Sequence, residues 1–455
     1  MENIIEKLPA EFVANMKNRL GEQFDSYLLA MQKEPVHGIR LNTLKANKEI
    51  LQEFSVVDNI SYSDNGYVMN SSKIGKHPYH IAGLVYVQEP SSMAAVCSSG
   101  LKDEPDKNLA VLDLCAAPGG KSGQIAEILA GKGVLVSNEI ENKRAKILQG
   151  NIERMGYRNV IITNSSPQTL AKNLPHMFDY VFVDAPCGGE GMFRKDPDTI
   201  LEWKQERLIS NGQRQKEILA EAHKMLKPNG KLIYSTCTFA EEENEQVVDW
   251  FVNNFGYSLV LPNKEILSVS VCQSIKEARR FYPHTSIGEG QFVCVMQKDH
   301  GPEEFIRSQG LPKMGNSEYK LLNEFIQSNF VINQEIQPAK VGNNICLLTA
   351  ETKNMLEFLQ RVPVLNAGVT AGTIEKGRFI PHNNMFSSFG NCAIQKINFS
   401  IDDEQLKKYL HGEQLENNQN FASGYVAVCV NGHAFAGARV SGNSLKNLFP
   451  KGLRI

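Results

Sequence analysis

The chain has 455 residues, 42% hydrophobic and 22% charged, with a formal net charge of −2 at pH 7. This composition excludes a disordered or fibrous protein and fits about two or three globular domains. It also excludes a global basic field, so any nucleic-acid surface has to be a local patch.

Residues 1–92 begin with a helical pattern, AEFVANMKNRL, and continue with the short segments HGIRLNTLK and GLVYVQEP. The opening MENIIEKLPAEF carries no basic-then-apolar signal pattern. No apolar run approaches the ~20 residues of a membrane helix. A soluble, cytoplasmic protein with no membrane partner is expected. Nine cysteines include no C-x-x-C pair, so no metal is expected. Their odd number in a large chain points to a reducing compartment.

From 109 to 297, strand-like runs (AVLDLC, GVLVSNE, NVIITN, YVFVDAP, KLIYSTC, QFVCVM) alternate with helical patterns. That alternation predicts an α/β fold with a doubly wound, mostly parallel sheet. The polar stretch QKDHGPEEFIRSQGLPKMGNSEYK (297–320) marks a boundary. Beyond it the chain is less regular and ends with two strand-like pieces, GYVAVCV and AFAGARV.

VLDLCAAPGGKSGQIAEIL (111–129) reads as strand, glycine turn and helix, a place where backbone N–H groups hold a polar ligand. A Walker A loop would need glycine where Cys115 stands, and G-x-G-x-x-G is absent. The remaining candidate is S-adenosylmethionine (SAM), which needs a tight turn and an acid at the end of the next strand. Glu139 stands there, about 20 residues after the turn, where a ribose-binding acid belongs. Taken alone, it reads as a solvated strand end; paired with the glycine turn, it reads as the ribose-binding acid. Cys187 follows YVFVDAP and Cys237 ends KLIYSTC, so both fall at the carboxyl ends of strands, where such sheets bind ligands. Asp184 sits beside them. The other cysteines outside the turn read as small buried hydrophobes.

SAM, two thiols and a carboxylate suit methylation of cytosine C5. A thiolate adding at C6 turns the ring into an enamine whose C5 attacks the methyl group. A carboxylate at the N3–N4 edge favours the charge that develops. The ordered set DLCAAPGGKS, DAPCGGEGMFRKDP and YSTCTFAEEENE resembles the Nop/Sun family of RNA cytosine-5 methyltransferases. RLNTLK (40–45), VQEPSSM (87–93) and YPHTSIGEGQFV (282–293) extend the resemblance over about residues 40–298.

The resemblance implies a Rossmann-like, SAM-dependent methyltransferase domain. In it Cys237 is the nucleophile and Cys187 helps release the product, with its glycines leaving room for a flipped base. It further implies contacts to SAM or the base from Cys115, Ala116, Ala117, Pro118, Gly119, Gly120, Lys121, Glu139, Arg144, Ser166, Asp184 and Pro186. One departure is that NVIITNSSP places Ser165 and Ser166 where the family often has an acid near the adenine.

FAEEENEQVVDWF reads as a helix starting just after Cys237. Its N-terminus would lower the thiol pKa, while Glu241, Glu242 and Glu243 would oppose this. Arg194 or Lys195 could offset those acids, or serve as phosphate contacts or plain solvated charges. Lys143, Arg144, Lys146 and Arg154 share one helical segment, either a phosphate-contacting face or a solvated one.

The tail NSLKNLFPKGLRI, with Lys446, Lys451 and Arg454, resembles the RsmF-like 16S rRNA branch of the family. That branch adds a PUA-like RNA-binding domain and acts on decoding-region cytosines of the small ribosomal subunit. The expected division is a 1–92 N-terminal α/β RNA-recognition region, a 93–300 catalytic domain, a 301–385 linker and small α/β subdomain, and a 386–455 PUA-like domain. A monomer is expected. The alternatives are a tRNA cytosine-5 methyltransferase, a small-molecule methyltransferase and a non-catalytic SAM-binding ribosome-assembly factor. The two thiols disfavour the factor, and the long flanking regions disfavour a small substrate.

Overall fold

The computed structural model describes residues 4–70, 74–104, 107–269, 271–301 and 307–455. At its centre lies a nine-stranded sheet. Its principal strands are β1 (Leu109–Asp113), β2 (Gly133–Asn138), β3 (Val160–Thr163), β4 (Phe178–Asp184), β5 (Leu226–Thr236), β6 (Tyr257–Val260), β7 (Gln291–Lys298) and β8 (Val364–Ala367). They run in the order β6-β7-β5-β4-β1-β2-β3-β8, and a short strand, Arg279–Phe281, pairs with β7. The five strands from β3 across to β5 are parallel, while β6, β7 and β8 join antiparallel.

The strands read as unbroken apolar runs because helices cover both faces of the sheet. Leu112, Val136, Ile161, Val181 and Leu232 enter one core cluster. Their chain neighbours Val111, Leu135, Ile162, Phe182 and Ile233 enter the other, as the two-residue period of a strand requires. The covering helices include α1 (Gly120–Ile128), α2 (Asn142–Met155), α3 (Pro167–Asn173), α4 (Gln205–Met225) and α5 (Glu245–Phe255).

The helix expected directly after Cys237 is a correction: α5 begins only at Glu245. Asn244 bends the intervening segment back. Its Oδ1 accepts from the Thr236 hydroxyl at 2.5 Å and its Nδ2 donates to the Thr238 carbonyl at 3.0 Å. The N-terminus of α5 therefore does not adjoin Cys237.

Among the described residues, three smaller sheets lie around this core. The N-terminal one has the order Val56–Asn59, Gly66–Met69, His37–Leu41, Val85–Val87. Between 301 and 385, a four-stranded sheet forms from Gln337–Val341, Asn344–Leu348, Val369–Glu375 and Arg378–Pro381. The same region also lends β8 to the central sheet. The C-terminal five-stranded sheet packs on the N-terminal one, and Ile39, Leu41, Leu84, Ile397, Val428 and Phe435 share one buried cluster. Helices Ala10–Leu20 and Phe24–Met31 lay Phe12, Met16 and Tyr27 against Phe193, Trp203 and Phe239, roofing the two cysteine loops. No helix among the described residues is long and apolar enough to cross a membrane.

Candidate active site

The carboxyl ends of β1, β2, β4 and β5 form one rim, and a cleft of about 360 Å³ opens along it. Of the residues singled out by sequence, Cys115, Ala117, Glu139, Arg144, Asp184, Pro186, Cys187 and Cys237 line this cleft. Ala116, Pro118, Gly119, Gly120, Lys121 and Ser166 do not.

On the β2 side, the turn after β1 is tied to α2. Arg144 Nη2 donates to the Ala117 carbonyl and Asn151 Nδ2 to the Pro118 carbonyl, both at 2.9 Å. Glu139 is only 3% exposed, so it is not a solvated strand end. Its Oε1 accepts from the Glu141 N–H at 3.0 Å, and Oε2 lies 3.5 Å from Arg144 Nη1. Beneath the turn, Asp113 accepts from Ser122 Oγ at 2.6 Å, and burial pushes its carboxyl up to about 7.

Ser166 is not among the residues lining the cleft. Its Oγ caps α3, accepting from the Thr169 N–H at 3.2 Å, because serine before proline is a strong helix start. Pro167 and Gln168 reach the cleft instead.

Lys121 points away from the turn toward Asp184, with Nζ 2.7 Å from Oδ2. Burial opposes the lysine charge, yet Asp184 outweighs it and holds the Lys121 pKa above its usual value. Asp184 Oδ1 accepts from Ser235 Oγ at 2.7 Å and from Gln291 Nε2 at 3.2 Å. The side chain remains 34% exposed at the rim.

The two thiols meet. Cys187 Sγ lies 3.3 Å from Cys237 Sγ and also accepts from the Cys237 N–H at 3.3 Å. Hydrogen bonding to Cys237, then burial, pushes the Cys187 thiol well above its ordinary pKa.

The glycines after Cys187 correct the expectation that they leave room for a base. A Cβ on Gly188 would come within 2.7 Å of Glu243 Oε1, and one on Gly191 within 2.8 Å of the Gly290 carbonyl. They let the loop pack closely, and only Gly189 faces open space.

Three charged groups also differ from expectation. Glu243 is fully buried instead of crowding a helix end. Arg194 is buried on Glu289, with Nε 2.6 Å from Oε2, so it offsets no acid near Cys237. Arg154 is buried and donates to the His80 carbonyl, which removes it from any RNA-facing surface. Lys143, Lys146, Lys195, Lys446 and Lys451 are exposed.

Sequence reading missed Arg214, Glu217 and Ile218, which line the cleft from α4. Their i, i+3, i+4 spacing placed them on one helix face, but no motif marked that face as facing a ligand. Ile140 and Asn138, flanking Glu139, were also missed.

Three family models cover most of the chain. The model described as 16S rRNA methyltransferase RsmB/F matches residues 101–297. Those for the N-terminal domain and the PUA domain of RsmF match 8–90 and 396–455. Two relatives described as ribosomal RNA small subunit methyltransferase F align almost end to end. The one from Aeromonas salmonicida is 28% identical over 94% of this chain and 93% of its own length. The one from Aliivibrio salmonicida is 29% identical over 98% and 97%.

Among solved structures, a methyltransferase homolog protein from Pyrococcus horikoshii superposes with a TM-score of 0.53 at 27% identity, covering 64% of this chain and 100% of that one. NSun6 from Pyrococcus horikoshii with SFG gives 0.58 at 19% identity, covering 65% and 100%, a likeness of fold alone.

Proposed function

This chain belongs to the RsmB/F family of 16S rRNA methyltransferases, and from that premise we propose that it methylates C5 of cytosine in the decoding region of small-subunit rRNA. The observation that carries the reading is the pair of thiols 3.3 Å apart on the ligand rim. Binding alone needs neither.

The cleft suits SAM, which supplies the methyl group when bound. Buried Glu139 offers its carboxylate to ribose hydroxyls, and Ile140, Pro167 and Ile218 offer apolar walls to a flat ring. Cys115, Ala117 and Arg144 shape the turn side, and Pro186 the opposite wall.

The target cytosine has to be unpaired or flipped to reach the rim. Cys237 adds through sulfur to C6, and the ring electrons this releases make C5 nucleophilic toward the methyl carbon, which would leave the sulfonium sulfur with its bonding pair as the C5–methyl bond forms. The C5 proton then passes to a base, the C5–C6 double bond re-forms and the Cys237 sulfur departs with the bonding pair. Cys187 is held as a neutral thiol and hydrogen-bonds the departing sulfur as it gains charge. Asp184, anchored by Ser235, Gln291 and Lys121, meets the N3–N4 edge of the ring.

Phosphate contacts fall to exposed lysines such as Lys143 and Lys146 on α2 and Lys451 in the C-terminal segment. The four-region division at 92, 300 and 385 remains our reading, with β8 as the strand that crosses it. A methyl group at the decoding site would weaken aminoglycoside binding. Comparing drug susceptibility with and without an active copy tests this, and no change across the class removes it.

The direct test is Cys187→Ala expressed in cells. A denaturation-resistant, SAM-dependent protein–RNA adduct is expected, with small-subunit rRNA in the trapped material and loss of the adduct in the Cys187→Ala, Cys237→Ala double variant. Recovery of tRNA instead would move the substrate. Absence of both an adduct and methyl transfer by the unaltered protein would overturn the catalytic reading.

A further inference from the structure

Two buried carboxylates outside the reacting pair connect the cysteine loops. Glu190, in the loop after Cys187, is only 3% exposed. Its Oε2 accepts from the Thr238 hydroxyl at 2.9 Å and the Phe239 N–H at 2.8 Å, the two residues that follow Cys237. Its Oε1 accepts from Trp203 Nε1 at 2.9 Å.

Glu243, in the loop after Cys237, reaches the opposite way. Its oxygens accept from the N–H of Gly188, the residue after Cys187, at 3.0 and 3.1 Å. Gln215 Nε2 donates to Glu243 Oε2 at 2.7 Å and to the carbonyl of Pro186, the residue before Cys187, at 3.0 Å. The peptide groups on both sides of Cys187 are therefore gripped. The Gly191 N–H closes the arrangement on the Cys237 carbonyl at 2.8 Å.

We propose that Glu190 and Glu243 are positioning residues forming a reciprocal clamp, each rooted in one cysteine loop and holding the other, and that this clamp sets the spacing of the two thiols. The inference rests on the two-thiol reaction described above.

Buried carboxylates are costly unless their oxygens are satisfied, and here removing either one would leave buried N–H and O–H donors without an acceptor. These two face mainly backbone and neutral side-chain donors, not a cation. What they add over apolar packing is a fixed relation between two glycine-rich loops. A displacement of about 1 Å at reacting groups costs on the order of a hundredfold in rate.

The two halves of the clamp have opposite signatures. Glu243→Ala frees the Cys187 loop while Cys237 stays held by Glu190. Methyl transfer in the first turnover persists, turnover falls by about ten- to a hundredfold, and adduct accumulates. Glu190→Ala frees the Cys237 side, so adduct formation and first-turnover transfer fall together. Glu243→Gln, which keeps one acceptor oxygen, partly restores turnover.

The experiment incubates each full-length variant with SAM and rRNA and measures the denaturation-resistant adduct, first-turnover transfer and steady-state turnover. SAM binding and Tm report folding. If Glu243→Ala fails to fold, Gln215→Leu removes the Pro186 grip alone and is expected to accumulate adduct to a smaller extent.

Cys187→Ala runs alongside as the control. If it traps adduct while the Glu243 and Gln215 variants turn over within twofold of the unaltered protein, the clamp is overturned and the two-thiol reaction stands. A parallel fall of adduct and turnover in both glutamate variants, unrelieved by glutamine, also overturns it, reducing both carboxylates to loop packing. If the control itself traps nothing, the two-thiol reaction falls, and the clamp with it.

Discussion

The two sides of the cleft are assembled from contacts of very different reach. Beside Glu139, the Glu141 N–H and Arg144 come from the same strand–helix junction, and Arg144 ties back to the turn at Ala117. Those contacts span no more than 27 positions of the chain. At the thiols, Cys187 with Cys237, Gly188 with Glu243, and Glu190 with Phe239 are separated by 50, 55 and 49 positions. That side exists only when β4, α4 and β5 are all packed. Cofactor binding and bond-making should therefore be separable by mutation.

The largest effect is expected from Cys237→Ala. Methyl transfer should fall by about a thousandfold or more while SAM affinity changes little. Labelled-SAM transfer paired with calorimetric binding checks this, and an active variant would break the division of labour. Glu139→Ala should do the reverse, raising the SAM concentration required by about ten- to a hundredfold with kcat nearly intact. A kcat loss as large as the KM change would show that the two sides are coupled.

A subtler test uses pH. Burial pushes the Glu243 carboxyl up to about 8, outweighing the Gln215 and Gly188 donors that pull it down. The folded chain thus holds a proton that an unfolded carboxyl, with a pKa near ~4.3, has lost. This contribution to stability is complete below the unfolded value and disappears as pH rises through about 8. Glu243→Gln should flatten the fall in Tm between about pH 5 and 8, leaving the share that Asp113, raised to about 7, contributes with the same sign. An unchanged slope would remove Glu243 from that account. The smallest effect belongs to Arg144→Ala. An ion pair whose arginine is half exposed contributes little, so SAM affinity should weaken only about two- to fivefold.

The same difference in reach explains what could be read from sequence. The six central strands were legible because both faces of each are apolar. The glycine turn, Glu139 and the two cysteines were legible because motif and strand end coincide. The capping role of Ser166 depends only on its own next turn, whereas its distance from the cleft depends on the fold. The acids after Cys237 looked like a helix start because their charge pattern suits one. Only Asn244 folding back on Thr236 and Thr238, and Glu243 turning toward Gly188, show otherwise. Arg154 and Arg194 were left open between phosphate contacts and solvated charges, and both are buried, because a basic side chain does not announce whether it ends in solvent or under a carbonyl. Strand β8 carries too short a run to reveal which sheet it joins.

The shared core of the first and last sheets gives the chain a ring-like connectivity. Asn431 reaches Tyr79 Oη at 2.7 Å, and His433 meets the Lys45 carbonyl at 3.0 Å. During synthesis the first sheet emerges with its apolar face uncovered, and the strands that cover it come about 300 residues later. At roughly 5–20 residues per second the wait is tens of seconds. A nascent chain of this protein is thus exposed to sticking or misassembly until the C-terminal sheet has been made. A stop codon late in the message would damage the end made first.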